Sequence, residues 1–290
     1  MGWVVALVQR GAASMERVDE LLSEVPSIAD APDVVPMHSI RGEIEFRNLT
    51  FEYPTSDTRD PALRDINLRV RAGETLGVVG IVGAGKSTLA SLVPRLYELP
   101  PGVLFIDGHD VTRIPIATLR RHIAMVPQES FLFSTTLAEN VAFGDPDASR
   151  ERMLTAARRA QLEKDVRELP NGYETMVGER GVMLSGGQRQ RTALARALML
   201  DPSILILDDT LSAVDAETEA AIQAELAEVF EGRTVIVVSS RVSSVRDADQ
   251  IVVLDAGRIV ERGRHEDLLA AGGLYARLAS EQSGFGDVSG

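Results

Sequence analysis

The sequence predicts an α/β fold with a helical insertion, and two observations carry this prediction. Short continuous apolar runs, which suit buried parallel strands, alternate with segments of helical periodicity. A mainly helical stretch over residues 150–200 interrupts this alternation. With 290 residues, 44% of them hydrophobic, the chain is long enough to bury a substantial core.

The first 40 residues are predicted to precede the domain. The apolar run in MGWVVALVQRG is shorter than the roughly 20 residues that span a bilayer, and it lacks the basic segment of a signal peptide. Residues 14–25 place apolar side chains at helical spacing, which predicts one amphipathic helix. Pro26, Pro32 and Pro36 then indicate a linker, so the domain is expected to start near Gly42.

Strands and helices are predicted in alternation from there on. The predicted strands are GEIEFRNLTFEY, LRVRAGETLGVVG, VLFIDG, HIAMVP, SILILDD and TVIVVSS. The predicted helices are TLASLVPRLYEL, ERMLTAARRAQLEKDVREL, RQRTALARALML and AETEAAIQAELAEVF, and the middle two carry arginines on one face and Leu or Ala on the other. IVVLDAGRIVERG is predicted to form a hairpin that turns at Asp255-Ala256-Gly257, with a closing helix after it.

Composition excludes several functions. A formal net charge of −13 and a pI near 4.9 disfavour binding to nucleic acid, so none is expected as a partner. The absence of cysteine removes disulfides, thiolate zinc sites and thiol catalysis. Only two of the 30 basic residues are lysines, Lys86 and Lys164, which suggests positions where arginine would not serve.

The strongest local motif is GIVGAGKST, residues 80–88, between a predicted strand and a predicted helix. Its glycines let successive backbone N–H groups point into one concavity that binds phosphate oxygens. Lys86 is expected to contact the β- and γ-phosphates, and the Ser87 hydroxyl to bind Mg²⁺. The alternative is an accidental glycine-rich turn. The candidate nucleotide-binding residues of this segment are Gly80, Gly83, Ala84, Gly85, Lys86, Ser87 and Thr88.

A second motif, LSGGQRQR at residues 184–191, begins another predicted helix and presents a hydroxyl and backbone amides to an anion. Its candidate binding residues are Ser185, Gly186, Gly187 and Gln188. Alone it could be merely a serine-capped helix start. It lies about a hundred residues after the first motif, however, and ILILDD and SAVD follow it closely.

These motifs, in this order, closely resemble the nucleotide-binding domain of ABC transporters of the exporter type, over essentially residues 40–280. The resemblance implies a RecA-like P-loop NTPase core, an antiparallel β subdomain and an inserted helical subdomain at about residues 129–198, after a short N-terminal helix. It implies ATP and Mg²⁺ as cofactors and ATP hydrolysis as the reaction. Residues 1–40 then resemble the end of a last transmembrane helix with its linker, and residues 41–290 the domain itself.

The resemblance also implies roles for single residues. Tyr53 matches the aromatic residue that stacks on adenine, although an aromatic beside a strand is more often core. Gln128 matches the glutamine that reaches Mg²⁺ and the attacking water, and Asp208 matches the Mg²⁺-associated aspartate. The candidate catalytic residues are Lys86, Gln128, Asp209 and Ser240. The candidate metal ligands are Ser87, Gln128 and Asp208.

Three further segments resemble parts of the family that communicate with partners. PQESFLFSTTLAENV resembles the surface under a transmembrane domain's coupling helix, where Phe131 and Phe133 either dock that helix or pack beneath it. VGERG, residues 177–181, resembles a segment that exporters use for the same purpose. Asp215 matches a loop at the dimer interface, or it is simply a helix N-cap. The chain would thus be an excised half of a longer polypeptide, soluble alone and otherwise at the cytoplasmic face of the inner membrane.

Two positions depart from the family's pattern at the γ-phosphate. Asp209 stands where the family usually has a glutamate that polarises the attacking water, and one methylene fewer withdraws the carboxylate by about 1 Å. Ser240 stands where the family has a histidine, and a serine hydroxyl cannot carry charge. The pair predicts a degenerate site that binds ATP and hydrolyses it slowly, unless Asp209 works through a bridging water.

The signature LSGGQ is intact, and in the resembled family it completes the site of a head-to-tail partner. The sequence therefore resembles the degenerate-site subunit of a heterodimeric exporter. A fully competent homodimeric exporter ATPase is the nearer alternative. A non-transport ABC protein is a farther one, because neither a long coiled coil nor a tandem cassette is present. A purely structural nucleotide-binding module that never hydrolyses ATP is the last.

Overall fold

The computed structural model describes residues 2–24, 26–54, 60–178, 181–210 and 229–284. Helix α1 spans Gly2–Ser23 and starts earlier than predicted. None of its side chains is buried. Within the described ranges, no helix combines the length and apolar character needed to cross a bilayer. The backbone from residue 26 to residue 43 has no regular structure apart from turns and bends, as the prolines predict.

An antiparallel sheet forms one part of the domain. Its four strands are β1 (Ile44–Phe51), β2 (Leu63–Val70), β4 (Leu104–Ile106) and β5 (His109–Asp110), in the order β2-β1-β4-β5. The strands β1 and β2 alternate buried and exposed side chains because successive residues point to opposite faces. This sheet confirms the antiparallel β subdomain.

A six-stranded sheet forms the centre of the fold. Its strands are β3 (Thr75–Gly80), β6 (Ile123–Val126), β7 (Ile204–Asp208), β8 (Thr234–Val238), β9 (Gln250–Asp255) and β10 (Arg258–Gly263), in the order β10-β9-β3-β8-β7-β6. All pairings are parallel except that of β9 with the edge strand β10. Loops that follow β3, β6, β7 and β8 therefore leave the sheet at one edge, where α/β proteins place their ligands.

Eight helices follow α1 in the described part of the chain. They are α2 (Lys86–Leu92), α3 (Ile116–His122), α4 (Leu137–Ala142), α5 (Arg150–Arg159), α6 (Glu163–Glu168), α7 (Gly186–Met199), α8 (His265–Ala271) and α9 (Leu274–Gly284). Short 3₁₀ turns lie at Val111–Arg113, Gly172–Glu174 and Ser243–Val245. Helices α4 to α7 form the predicted helical insertion.

The two faces of the central sheet bury different sets of side chains. Ile204 and Ile206 of β7 join a core with α2 and the antiparallel sheet, whereas Leu205 and Leu207 join a core with the helical insertion. This division follows from the two-residue alternation of a strand. A third cluster places α8 and α9 against β3 and β9, with the Tyr275 side chain fully buried.

The structure corrects several predicted boundaries. LRVRAGETLGVVG is two strands, because Gly73 turns the chain with φ 81° between β2 and β3. The helix predicted over residues 88–99 ends at Leu92, and the one over residues 151–169 divides at Gln161, whose φ is 55°. The β9–β10 hairpin is confirmed, with positive φ at Ala256 and Gly257. Most of the predicted crossover helix lies outside the described residues.

Candidate functional site

The glycine-rich loop after β3 is built as a narrow cradle. At Gly80 a Cβ atom would stand 2.2 Å from the carbonyl oxygen of Leu254, so no larger residue fits. Gly85 adopts φ 97°, a left-handed conformation, and its Cβ would meet the Ala62 carbonyl oxygen at 2.8 Å. These constraints explain why the motif has glycine at both positions. The turn delivers the chain directly into helix α2.

Lys86, the first residue of α2, folds its side chain back over the loop. Its Nζ donates hydrogen bonds to the carbonyl oxygens of Gly80 at 2.9 Å and Ile81 at 3.0 Å. Burial lowers the pKa of Lys86, although the carboxylates of Asp209 and Asp208 oppose that shift. An ammonium has three donors, so one remains for an anion beyond these two carbonyls. A phosphate in the cradle would compensate a charge that burial makes costly.

Ser87 and Asp208 bring two hard oxygen atoms together beside the loop. The Ser87 hydroxyl donates to Oδ1 of Asp208 at 2.9 Å, and Asp208 is 4% exposed at the end of β7. Burial raises the pKa of Asp208, an effect that the Ser87 hydrogen bond opposes. Among the described residues, no group of three or more His, Asp or Glu side chains is arranged to hold a metal ion. The pair fits Mg²⁺, which binds through one or two protein oxygens together with phosphates and waters.

Asp209 and Ser240 face each other across the ends of β7 and β8. Ser240 Oγ lies 3.5 Å from Oδ2 of Asp209, and both residues are half-buried. Asp209 has φ 47°, and its backbone N–H donates to the Val238 carbonyl at 2.8 Å. This left-handed turn is uncommon for a residue other than glycine. The structure therefore brings together the two residues that the sequence marks as unusual.

Tyr53 packs against two aromatic residues and also contacts helix α2. Its hydroxyl hydrogen-bonds Thr88 Oγ1 of α2 at 2.7 Å. Its ring, half-buried, makes edge contacts with Phe51 and Tyr97 at centroid distances of 5.1 Å and 5.2 Å. The side chain thus packs on the core and also touches the helix that follows the glycine-rich loop. Its stacking on adenine stays a prediction.

Gln128 lies two residues beyond the end of β6, at the same edge of the sheet as Asp208. It is exposed. Exposure is compatible with a side chain that reaches a ligand, and its contacts with Mg²⁺ and water stay predictions. Asp215 lies outside the described residues.

The second motif forms a fully capped helix start. Ser185 Oγ accepts from the Gln188 backbone N–H at 3.2 Å, and Gln188 Oε1 accepts from the Ser185 N–H at 2.9 Å. This reciprocal pair is a capping box. Gly187 is buried at the first turn, while Ser185 is exposed. The serine-capped helix start is therefore real, and it does not conflict with anion binding at the same terminus.

Two inward-facing arginines of α7 are residues that sequence reasoning missed. Arg191 makes a bidentate ion pair with Asp165 of α6 at 2.7 Å and 2.8 Å, with both side chains about one-tenth exposed. Arg196 donates to the backbone and side-chain oxygens of Asn140 at 2.9 Å, and to the Phe131 carbonyl at 3.1 Å. Burial lowers the pKa of Arg196. For Arg196 the available signal was its place among alanines and leucines, whereas Arg191 lies in a polar stretch that gave none.

Arg196 also orders a group of aromatic side chains. Its guanidinium lies 5.4 Å from the Phe133 ring centroid and 5.6 Å from that of Phe143. Phe133 thus packs inside this group, whereas Phe131 is 67% exposed. Beside them is a groove of about 390 Å³, mostly apolar, and its lining includes Met125, Pro127, Phe131, Phe143, Ala197 and Leu200.

The segment at residues 177–181 contacts the same region. The Val177 N–H donates to the Thr135 carbonyl at 2.9 Å, and Val177 is buried. A Cβ atom on Gly178 would stand 3.1 Å from the Phe133 carbonyl oxygen. Glu179 and Arg180 lie outside the described residues. Val177 and Gly178 therefore pack against the backbone of residues 133–135, shortly before the second motif.

Comparison with known proteins agrees with this geometry. A family model described as ABC transporter matches residues 63–212. Over 281 residues the chain is 47% identical to an uncharacterized ABC transporter ATP-binding protein, YwjA, of Bacillus subtilis, covering 97% of this chain and 48% of that protein. It is 45% identical over 282 residues to the ATP-dependent lipid A-core flippase of Escherichia coli K12, with the same two coverages.

A solved structure shows the same fold. The chain superposes with a TM-score of 0.87 on a bacterial Atm1-family ABC exporter with ATP bound, at 38% identity. The match covers 95% of this chain and 48% of that one. The chain thus spans about half the length of the proteins it matches. With the cradle, the buried acidic strand end and the capped signature helix in place, the chain belongs to the ABC transporter family and is an ATP-binding domain of its exporter type.

Proposed function

We propose that this domain is the motor of an ABC exporter whose two nucleotide sites are unequal. Its own site, between the glycine-rich loop and Asp209, binds Mg-ATP and turns it over slowly. Its signature helix completes the efficient site of a different partner subunit. The observation that carries this proposal is the Asp209–Ser240 pair, 3.5 Å apart at the position where the γ-phosphate is expected.

ATP binding uses the groups that the loop already presents. The backbone amides of residues 80–88 and the Lys86 ammonium hold the β- and γ-phosphates. Tyr53 supplies the adenine contact while Thr88 holds its hydroxyl. Ser87, Asp208 and Gln128 would hold Mg²⁺, which neutralises charge on the phosphate oxygens during hydrolysis. The lipid A-core flippase is named as ATP-dependent, and the Atm1-family exporter was solved with ATP bound.

Slow turnover follows from reach and charge. An aspartate carboxylate at residue 209 stops about 1 Å short of a glutamate carboxylate, and a misplacement of that size costs on the order of 10²-fold in rate. Part of its acceptor capacity is directed at Ser240. Ser240 can donate one neutral hydrogen bond, whereas a protonated imidazole would bring a charge to the developing oxyanion. Two weakened groups therefore act on one phosphate.

The signature end carries no such defect. Accepting a hydrogen bond from Gln188 leaves the hydroxyl hydrogen of Ser185 as a donor. The terminus of a 14-residue helix adds its dipole and further amides. In a head-to-tail dimer this end faces the partner's ATP, so damage at Asp209 spares the partner's site. A heterodimer thus uses both ends of this chain for different purposes.

Coupling to transport is assigned to the groove beside Phe131. An exposed aromatic residue on a mostly apolar groove suits an amphipathic helix from a membrane domain. Helix α1, with apolar residues such as Trp3 and Val8 exposed, would continue from the last membrane helix of the full-length protein. The domain would then act at the cytoplasmic face of the inner membrane.

A gain of function tests this proposal. Restoring the usual pair with Asp209→Glu and Ser240→His should raise the ATPase rate of the purified chain by about 10²-fold, and each single change by less. Lys86→Ala in the restored chain is the control, because it should remove the gained activity. Brisk hydrolysis by the unmodified chain, rising steeply with protein concentration, would contradict the proposal and favour a competent homodimer.

A further inference from the structure

The loop that carries Ser240 is held from a distance by the last described helix. Gln282, near the end of α9, donates from Nε2 to the Ser240 carbonyl at 2.8 Å. Its Oε1 accepts from the backbone N–H of Val242 at 2.8 Å. The two residues Val242 and Gln282 are 40 positions apart in sequence. One amide side chain therefore binds the loop on both sides of residue 241.

This clamp completes the support of a short, irregular segment. On the strand side, the Ser239 N–H donates to the Val78 carbonyl of β3 at 3.1 Å. On the other side Val242 is buried, and its N–H is the one that Gln282 accepts. Ser240 lies between these two attachments, with Oγ 3.5 Å from Asp209. The position of its hydroxyl therefore depends on both.

Helix α9 is anchored firmly enough to act as a support. Glu261 of β10 accepts hydrogen bonds from the backbone N–H groups of Leu274 and Tyr275 at the start of the helix. Tyr275 is fully buried, and its hydroxyl contacts His265 Nδ1 at 2.7 Å. The helix thus links the edge strand of the sheet to the Ser240 loop.

The chemistry of the clamp suits an amide. A carbonyl and an N–H are satisfied together only by a side chain that both donates and accepts, and glutamine does so from two separate atoms at the end of a long side chain. A glutamate at residue 282 would keep the bond to Val242 but place a carboxylate against the Ser240 carbonyl. A methionine would keep the length and lose both bonds. These two substitutions separate hydrogen bonding from the space that the side chain fills.

We propose that Gln282 is a positioning residue for Ser240, so that helix α9 sets the contact of this loop with the γ-phosphate. The inference rests on the proposed placement of Ser240 at the γ-phosphate. Ser240 and Gln282 both lie outside residues 63–212, which the family model matches. Gln282 does not touch the nucleotide itself. Its influence reaches ATP through the backbone of residues 240–242.

The test is a binding cycle on the full chain that does not depend on hydrolysis. Calorimetry measures two affinities of the chain, one for the Mg²⁺ complex of the β,γ-imido analogue of ATP and one for Mg²⁺-ADP. Ser240→Ala should weaken the affinity for the analogue by about 10-fold, because a hydrogen bond to a charged group is lost. The affinity for ADP, which has no γ-phosphate, should stay unchanged. Gln282→Met should weaken the analogue by about 3- to 5-fold, and Gln282→Glu by at least as much. In the Ser240→Ala background Gln282→Met should add nothing.

A neighbouring substitution and a structural readout serve as controls. Glu281→Ala, on the same exposed helix end, should change neither affinity. Hydrogen exchange at the Val242 amide should accelerate in Gln282→Met and not in Glu281→Ala, because its acceptor is removed. Equal weakening of ADP and the analogue would indicate general distortion and overturn the inference.

Three other results would also overturn it: Gln282→Met behaving like Glu281→Ala, its effect persisting without the Ser240 hydroxyl, or Ser240→Ala leaving the analogue's affinity unchanged. Failure of the proposed function is recognised separately, by brisk ATP turnover in the unmodified chain. That outcome leaves the binding cycle interpretable.

Discussion

The glycine-rich loop and the signature each lead into a helix N-terminus for which we propose a phosphate partner, yet the two termini are built in opposite ways. Helix α2 begins after Gly85 in a left-handed conformation, and no side chain caps it. Helix α7 begins after Ser185 with a complete capping box. The first terminus leaves its amides to the ligand, while the second satisfies part of its own. The first terminus therefore keeps uncapped amides that suit the phosphates of ATP, whereas the cap of the signature helix is complete without a ligand.

The two helix termini also differ in the side chains that support them. Lys86 is held by two carbonyls of its own loop, and burial lowers its pKa. A bound anion would therefore stabilise the charged form of the Lys86 ammonium. Helix α7 is instead held by two of its own arginines: Arg191 binds Asp165 of α6, and Arg196 binds Asn140. We therefore expect ligand-dependent behaviour at the first end and ligand-independent stability at the second.

The largest expected effect is at the support of the signature helix. Asp165→Asn leaves Arg191 nearly buried without its charged partner, and should lower the free energy of unfolding by about 3 kcal/mol. Urea denaturation measures this loss, and the affinity for ATP should change by less than about twofold. Glu163→Gln is the matched control: it removes an exposed pair with Arg158 and should cost less than about 1 kcal/mol. If both variants lose the same free energy of unfolding, the Arg191–Asp165 pair is not a special support of the signature helix.

The next effect is at the cradle. Lys86→Ala removes the ammonium that compensates phosphate charge, and should weaken ATP binding by about 100-fold, or roughly 2.7 kcal/mol. The free energy of unfolding without nucleotide should change little, because burial makes this charge costly there. Fluorescence titration with a labelled nucleotide provides the measurement. Unchanged affinity would refute the assignment of the loop.

The third effect tests the contact of Tyr53 with adenine, and its expected range begins below the other two effects. Tyr53→Ala should weaken ATP by about 1 to 3 kcal/mol, the usual scale of base stacking. Tyr53→Phe keeps the ring and loses only the bond to Thr88, so its ATP affinity should stay within about twofold of the original. Calorimetry of both variants decides the matter. If ATP and GTP affinities are unaffected by Tyr53→Ala, the ring is core and not a stacking platform.

Sequence reasoning reached the loop, the strand ends and the hairpin because each has a local chemical signature. Gly80 and Gly85 are required by close approaches to the carbonyl oxygens of Leu254 and Ala62, and the spacing of the motif predicts the two glycines without revealing those contacts. The ends of β7 and β8 were predictable from continuous apolar runs that stop at polar residues. Each of these features is marked by residue types within a short stretch of chain, even where the contact that requires them is distant in sequence.

Other features depend on tertiary contacts that no local pattern carries. The periodicity of α7 favours an outward face for its arginines, but Arg196 turns inward because Asn140, 56 residues away, supplies acceptors for it. The clamp from Gln282 and the left-handed turn at Asp209 are of the same kind. A helical-wheel argument cannot locate a partner that arrives from another element.

The central claim is that the two ends of this domain serve different ATP molecules. The most direct test is steady-state ATPase of the full-length protein, assembled with its partner subunit in membranes, for two variants. Ser185→Ala should reduce turnover by on the order of 10²-fold, because it removes a donor from the partner's competent site. Asp209→Asn should reduce it by less than about 3-fold, since its own site contributes little. If Asp209→Asn abolishes turnover as completely as Ser185→Ala does, Asp209 is a working catalytic base and the account is wrong.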